Sequence, residues 1–413
     1  MTFMTCCATS ARVNSRPIPA RTAFTAGFFL FCGLMLGLRW MDVFTSPPHS
    51  LLSLVAAAWI LFLPGFLISE CLRPKTESDR RASLQILADA VSVSLVLEVV
   101  LAIIAFTVHA TISTWIDWMT SCNVCCFTLW AWRTRWRGAV NPGVPRAPRT
   151  KMHAVDALLW LMIGFLSLEL YRWADTISAI GWEVALHLGY VRHYFSNLPL
   201  DVHMMVARPG EVAPPNGFFF WEFLLAAMSR LARLDCLEFS LRSRWLIPLL
   251  GLSGLYALTF ELARSKRRTS LIISIVAIAI LTTFLFRPPD DFQAIVNSGN
   301  HGRIITAFMG SIHHADTAME ILLPLMLAAF FRLRRSQDLP RLIVFALFIL
   351  MSFFWHPREL FQTAWIAAMM MVTDLLLQRR QVFWRLLKKV YAPAFAAYGI
   401  VVAAPPLRSG FLP

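Results

Sequence analysis

Within GWEVALHLGYVRHYF, the residues Glu183, His187, Tyr190 and Tyr194 stand at i, i+4, i+7 and i+11. That spacing is one stripe on a helix. A carboxylate, an imidazole and two phenols on one face can take up, hold and pass on a proton. Arg192 adds a forked donor suited to phosphate, and Asp175 stands upstream as a second carboxylate. The same spacing also suits an amphipathic helix at a membrane interface with its polar side toward water. Both readings stay open. Other polar residues of the same kinds recur further along: Asp290 and Asp291 after a Pro-Pro pair, Arg303, the group His313, His314 and Asp316, and the segment His356, Arg358 and Glu359. Arginines there would suit phosphate. Asp290, Asp291, His313, His314 and Asp316 have the donor atoms of a divalent-metal site, although their spacing fits no established metal motif. Plainer readings exist for each segment, since acids favour helix starts and His356-Pro357 suits a turn.

The elements that must position these residues are set by composition. Of 413 residues, 57% are apolar and 15% are charged, whereas a soluble domain has about a quarter of its residues charged. An ordinary soluble enzyme, a disordered tail and a collagen are thereby excluded. The chain reads as an all-α polytopic membrane protein with about eleven transmembrane helices, since each crossing of the hydrocarbon needs roughly 20 mainly apolar residues. The spans centre on residues 23–44, 51–69, 84–108, 114–132, 154–172, 245–263, 269–286, 316–331, 341–355, 360–377 and 390–404. The first follows Arg12, Arg16 and Arg21 and reads as an uncleaved signal anchor. Cys122, Cys125 and Cys126, inside an apolar run, read as small buried residues.

Charge sorts the sides. The net +14 needs no nucleic acid once the basic residues are assigned to loops. With a cytoplasmic N-terminus, about 26 of the 38 Lys and Arg fall inside, including every lysine: Lys75, Lys151, Lys266, Lys388 and Lys389. That count requires FFFWEFLLAAMSRLARL, residues 218–234, not to cross. Its Glu222, Ser229, Arg230 and Arg233 form one stripe, so it reads as an interfacial helix within a long outer loop, 173–244. The Pro-rich basic linker RTRWRGAVNPGVPRAPRTK separates a four-span N-terminal module, 1–153, from a second membrane domain, 154–413. The one deeply placed carboxylate of the first module is Glu98, and an ionisable residue inside a span is a functional candidate. A neutral Glu98 bonded to a neighbouring helix is the alternative. All the candidate residues of the later loops then fall on one outer face, where a cleft would meet both lipid-borne and water-borne substrates.

The stretch Glu183-Val-Ala-Leu-His187 with Arg192 five residues on resembles the first outer loop of GT-C membrane glycosyltransferases. PPNGFFFWEFLLAAMSRLARLD, RWLIPLLGLSGLYALTFEL and WHPRELFQ are similar to the same superfamily, so that the likeness covers roughly 154–378. It implies a sugar donor carried on polyprenyl phosphate, an acceptor left open, membrane lipids as surroundings, and a bacterial plasma membrane with the active face outside. It also implies a catalytic acidic residue at Glu183, with Asp175 as the alternative because relatives usually have Asp at the matching position. His187, Arg192, Arg303, His356, Arg358 and Glu359 would then bind substrate. A divalent metal on Asp290, Asp291, His313, His314 and Asp316 is an optional cofactor. Two other functions fit the same chain: a transporter or flippase of lipid-linked glycan, and a GT-C-like subunit without catalysis.

Overall fold

Leu, Val, Ala and Ile surround the helix Ser83–Thr107 on every face, a pattern that suits a helix with no water on any side. In a computed structural model this and every other described element is helical. The structure describes residues 20–43, 49–72, 83–140, 157, 159–161, 163–165, 182–201, 219–263 and 318–403. In chain order the helices are α1 (Ala20–Trp40), α2 (His49–Leu72), α3 (Ser83–Thr107), α4 (Ile112–Val140), α5 (Trp182–Phe195), α6 (Phe220–Ala232), α7 (Cys236–Arg242), α8 (Leu246–Leu262), α9 (Leu323–Ser336), α10 (Leu339–Trp355), α11 (Pro357–Leu377) and α12 (Arg380–Ala403). A π-turn, Ala58–Phe62, interrupts α2; others precede α9 and lie within α12. Four helices are long and apolar enough to span a membrane: His49–Leu72, Ser83–Thr107, Glu359–Leu377 and Arg380–Ala403. Shorter apolar helices cover Phe24–Trp40, Leu246–Leu262 and Leu339–Trp355. The stripe Phe361, Trp365, Met369, Val372 and Leu376 of α11 is exposed, at the spacing of one helix face. Large apolar side chains in that position suit acyl chains rather than water. Span 269–286 and most of 154–172 lie outside the described residues.

Helices from both halves of the sequence share one core, running from Phe29 and Leu52 to Tyr391 and Val401. The tightest approach joins α2 to α3. A Cβ at Gly65 would lie 1.9 Å from the carbonyl oxygen of Ala90 and 2.6 Å from the amide nitrogen of Ser94. Only glycine lets the two backbones meet this closely. The amide of Gly65 donates to Ser94 Oγ at 2.9 Å.

Polar contacts gather at two opposite ends of the bundle. At one end, Arg332 of α9 pairs with Asp89 of α3 and Glu261 of α8, and Arg335 reaches the same Glu261. Beside them Arg334 donates to Asp374 of α11, which also accepts from the Tyr391 hydroxyl of α12. The arginines of the Arg332–Arg341 cluster counted in the sequence only as loop charge are therefore partly committed to carboxylates on three helices.

At the other end lies α6, read from the sequence as an interfacial helix, and its polar stripe is covered by protein. Every residue of α6 except Arg230 is buried. Its stripe faces protein: Glu222 bonds His187, Ser229 Oγ donates to the Leu234 carbonyl, and Arg230 donates to Ser113 Oγ and to the Phe195 carbonyl. Arg233 and Arg39 donate to one another's helix ends. Arg39 reaches the carbonyls of Ala232 and Arg233, while Arg233 reaches the Trp40 carbonyl and Asp42. Two C-termini, each with unsatisfied carbonyls, are thus capped by each other's arginine. Along its length α6 touches the α3–α4 corner through Phe106 and Trp115 and the α10–α11 corner through Trp355. All these corners are at one end of the bundle, so α6 lies across that end and does not cross to the other. Cys122 and Cys126 are half-buried and Cys125 exposed on α4, so the expectation of three buried cysteines is corrected.

Replacing Gly65 by Ala is expected to lower stability by about 1–3 kcal/mol or more, because the clash is with backbone on both contacts. Thermal unfolding of the purified protein in detergent checks this. Gly27→Ala, where an added Cβ meets nothing within 4 Å, should leave the midpoint unchanged.

Candidate functional site

The helix α5 has the stripe read from its sequence, and the structure shows what the stripe faces. His187, Tyr190 and Tyr194 are 4%, 3% and 3% exposed. They pack on α6 rather than on water, which overturns the water-facing reading of this face. His187 Nδ1 lies 2.7 Å from Glu222 Oε1, with Glu222 fully buried. If Glu222 is ionised, Nδ1 must be the donor, because a carboxylate only accepts. Tyr190 stacks obliquely on Phe219 with centroids 4.4 Å apart, and the Tyr194 hydroxyl accepts from the amide of Phe219. Burial pushes the Tyr194 phenol well up from its ordinary value, and the neighbouring Glu222 adds to this against the opposing Phe219 amide. Tyr194 is accordingly a neutral hydroxyl at any ordinary pH.

The end of α5 is fixed to the membrane helices by the turn that follows it. Asn197 takes the left-handed backbone conformation at φ 66°, which Asn tolerates better than most residues. Its side-chain oxygen accepts from the Ser113 amide in the first turn of α4. Leu200 pairs with Ala110 through its amide, and its carbonyl faces His109 Nδ1 at 3.1 Å. Arg230 then joins Ser113 to the last turn of α5. Arg192 is exposed on the far side of α5 and donates to Cys236. The Cys236 thiol is pushed up chiefly by burial and further by Asp235, with Arg192 acting the other way.

A second helical corner also packs on α6. Trp221 of α6 stacks on Trp355 at 5.3 Å and 10°, and Phe220 meets the same indole edge-on. Trp355 ends α10. The next residue, His356, is the N-cap of α11 and its Nδ1 lies 2.6 Å from Glu359 Oε2, with Glu359 buried. His356-Pro357, for which the plain reading is a turn, is the start of a helix, with Pro357 in the first turn. Two histidine–glutamate pairs, the buried His187–Glu222 and the half-buried His356 with buried Glu359, thus flank the indole pair Trp221–Trp355.

Of the residues singled out in the sequence, the structure sets His187 of α5 against α6, and places His356 and Glu359 beside Trp355, which also packs on α6. The backbone places Glu183 at the second position of α5 and Arg358 at the second position of α11. Asp175, Asp290, Asp291, Arg303, His313, His314 and Asp316 lie outside the described residues. Among the described residues, no group of three or more His, Cys, Asp or Glu is placed to hold a metal ion. Glu222 was visible in the sequence only as part of a polar stripe. Its signal was a carboxylate standing in the apolar run FFFWEFLL, where a partner is required. Comparison with family models, curated proteins and solved structures finds no match.

Truncating either partner of His187–Glu222 strands the other in a dry site. Glu222→Ala and His187→Ala are each expected to cost about 3 kcal/mol or more. The double variant should lose clearly less than the sum. Denaturant unfolding of all four proteins in detergent measures this; strictly additive losses would mean that the pair is not coupled.

Proposed function

We propose that this chain is a membrane glycosyltransferase that takes a sugar from a polyprenyl-phosphate donor and passes it to an acceptor at the outer membrane face. The observation that carries the reading is that α5 and the α10–α11 corner both rest on α6, at one end of the bundle. That shared contact supports a site assembled from the EVALH and WHPRE segments, both of which resemble GT-C enzymes. The orientation follows from charge. The end with Arg332, Arg334 and Arg335, together with the nearby Lys388 and Lys389 on α12, is assigned to the cytoplasm by the positive-inside rule, which leaves α5 and α6 outside. The wider count of about eleven spans belongs to this proposal.

In this reading His187 is a positioning residue. Its bond to Glu222 fixes α5 on α6, and Glu183 stands one turn earlier on the same stripe, at the mouth of the loop. Glu183 takes the proton from the acceptor hydroxyl as the hydroxyl oxygen attacks the sugar carbon. The bond from that carbon to the phosphate oxygen breaks, and the lipid phosphate leaves with the electron pair. Arginines stabilise the charge that grows on the leaving phosphate. Arg358, in the first turn of α11, and Arg192 are the candidates within the described helices. Asp175 remains the alternative base, and Arg303 a further phosphate ligand. The optional metal would share the phosphate charge on Asp290, Asp291, His313, His314 or Asp316.

Purified protein supplied with radiolabelled polyprenyl-phosphate sugars is expected to release the lipid phosphate in an acceptor-dependent way. Glu183→Gln keeps the shape but cannot take the proton, so transfer should fall by about 100-fold or more, with the protein still folded. Glu183→Asp should retain part of the rate. A wild-type rate in Glu183→Gln with loss in Asp175→Asn would move the base to Asp175. Undiminished rates in both would remove a carboxylate base from this loop.

A further inference from the structure

Glu98 sits in the middle of α3, nine residues before its end at Thr107, or about 14 Å from that end. It is fully buried, and neither carboxyl oxygen has a hydrogen-bond partner among the described residues. The register of the neighbouring helices shows what stands at its level. Gly65 of α2 meets Ala90 and Ser94. One turn along α3 from Ser94 is Glu98, and the matching turn along the antiparallel α2 is the π-turn Ala58–Phe62. On α4, Asn123 reaches that same turn: its Nδ2 donates to the Trp59 carbonyl at 2.8 Å, and the Trp59 indole donates to Thr120. A carbonyl only accepts, so the amide nitrogen must face Trp59 and Oδ1 must point elsewhere. Asn123 is fully buried too, and its Oδ1 has no partner among the described residues.

Three buried oxygen acceptors therefore lie at the level of one distorted turn without a donor among the described residues. Such turns often mark functional positions in helices. An isolated carboxylate in hydrocarbon is prohibitively expensive, and the missing counterpart is a positive charge. We propose that Glu98, Asn123 and the π-turn Ala58–Phe62 form an intramembrane site for one monovalent cation, a proton or a sodium ion. A divalent ion is disfavoured, because one carboxylate would leave an uncompensated charge in the same dry place. The α2 turn itself has no titratable residue, and α10 has none between Arg341 and His356. Near this level α4 offers Cys122 and the exposed Asp117, while Tyr256 of α8 and Glu320 of the π-turn before α9 have contacts of their own. On α3 itself, Asp89 is held by Arg332. The inference is independent of the transferase reading.

The test compares thermal unfolding of the full chain in detergent, wild type against Glu98→Gln, with sodium chloride replaced by choline chloride at fixed ionic strength and at several pH values. A wild-type midpoint that rises with sodium, while the variant stays flat, identifies sodium. A difference between the two proteins that changes with pH and ignores sodium identifies a proton. A difference that is constant across both series overturns the proposal. If Glu98→Gln fails to fold, wild-type protein is treated with a hydrophobic carbodiimide, which reacts with protonated carboxyls, and the modified residue is located by mass spectrometry. Modification of Glu98 near neutral pH supports the site. Suppression by sodium at ten times its dissociation constant should approach about tenfold and names that ion, whereas absence of modification throughout the series overturns the proposal.

Discussion

A polar group inside this bundle has no water to turn to, and its partner must come from another helix or another turn. That requirement explains where the contacts fall. The arginines of α9 reach carboxylates on α3, α8 and α11 at one end of the bundle. At the other end, two helix C-termini exchange arginines, Asn197 caps α4, and His187 finds Glu222. Between the ends the helices meet chiefly through apolar side chains and the bare backbone at Gly65, with a few polar contacts such as Asn123 to the Trp59 carbonyl and Tyr398 to Thr363. In that middle zone Glu98 and Asn123 are exceptions among the described residues, and Gln85 Oε1, Trp115 Nε1 and Ser336 Oγ are others nearer the ends.

The same rule decides how α6 is used. A helix with four polar residues on one stripe can lie on a membrane surface with that stripe in water, or it can be covered if every stripe residue finds a partner. In this fold each one does. The cover consists of α5 and the corners of α3–α4 and α10–α11, so α6 acts as the common floor on which those corners rest. Its aromatic residues serve the same purpose. Phe223 meets Phe106, Trp115 and Tyr194, and Trp221 meets Trp355, so rings from four other elements converge on one short helix.

How much of this was legible in the sequence depends on the distance between the partners. Long apolar runs announced their own helices: 84–108 corresponds to Ser83–Thr107, 245–263 to Leu246–Leu262, and 341–355 to Leu339–Trp355. The ends were read less well where charge follows the apolar run. The span 114–132 continues as helix to Val140, and 390–404 begins as helix at Arg380, because arginine and lysine are good helix formers even where they cannot enter hydrocarbon. The stripe of Glu183, His187, Tyr190 and Tyr194 was legible as one face, since helical period is a local property. What that face meets was not, because Glu222 lies 35 residues from His187 and nothing local distinguishes a polar stripe wetted by solvent from one covered by protein. Arg332 and Asp89 were separated still further, and loop charge was the reading that sequence alone allowed.

The covered stripe changes what α5 contributes to any chemistry at this end. An imidazole bonded to a buried carboxylate is held in one orientation, so His187 is poorly suited to sampling a substrate and well suited to holding a helix still. The exposed or loop-proximal residues of the same helix, Arg192 beyond it and Glu183 at its start, gain from that rigidity. The second pair, His356–Glu359, serves α11 in the same way, and it fixes the turn that holds Arg358. The two histidine–glutamate pairs are joined through the stacked indoles of Trp221 and Trp355, so a displacement of either corner is resisted by the other. Both flanks of the end face are thereby held to one short buried helix, an arrangement in which polar partners supply rigidity.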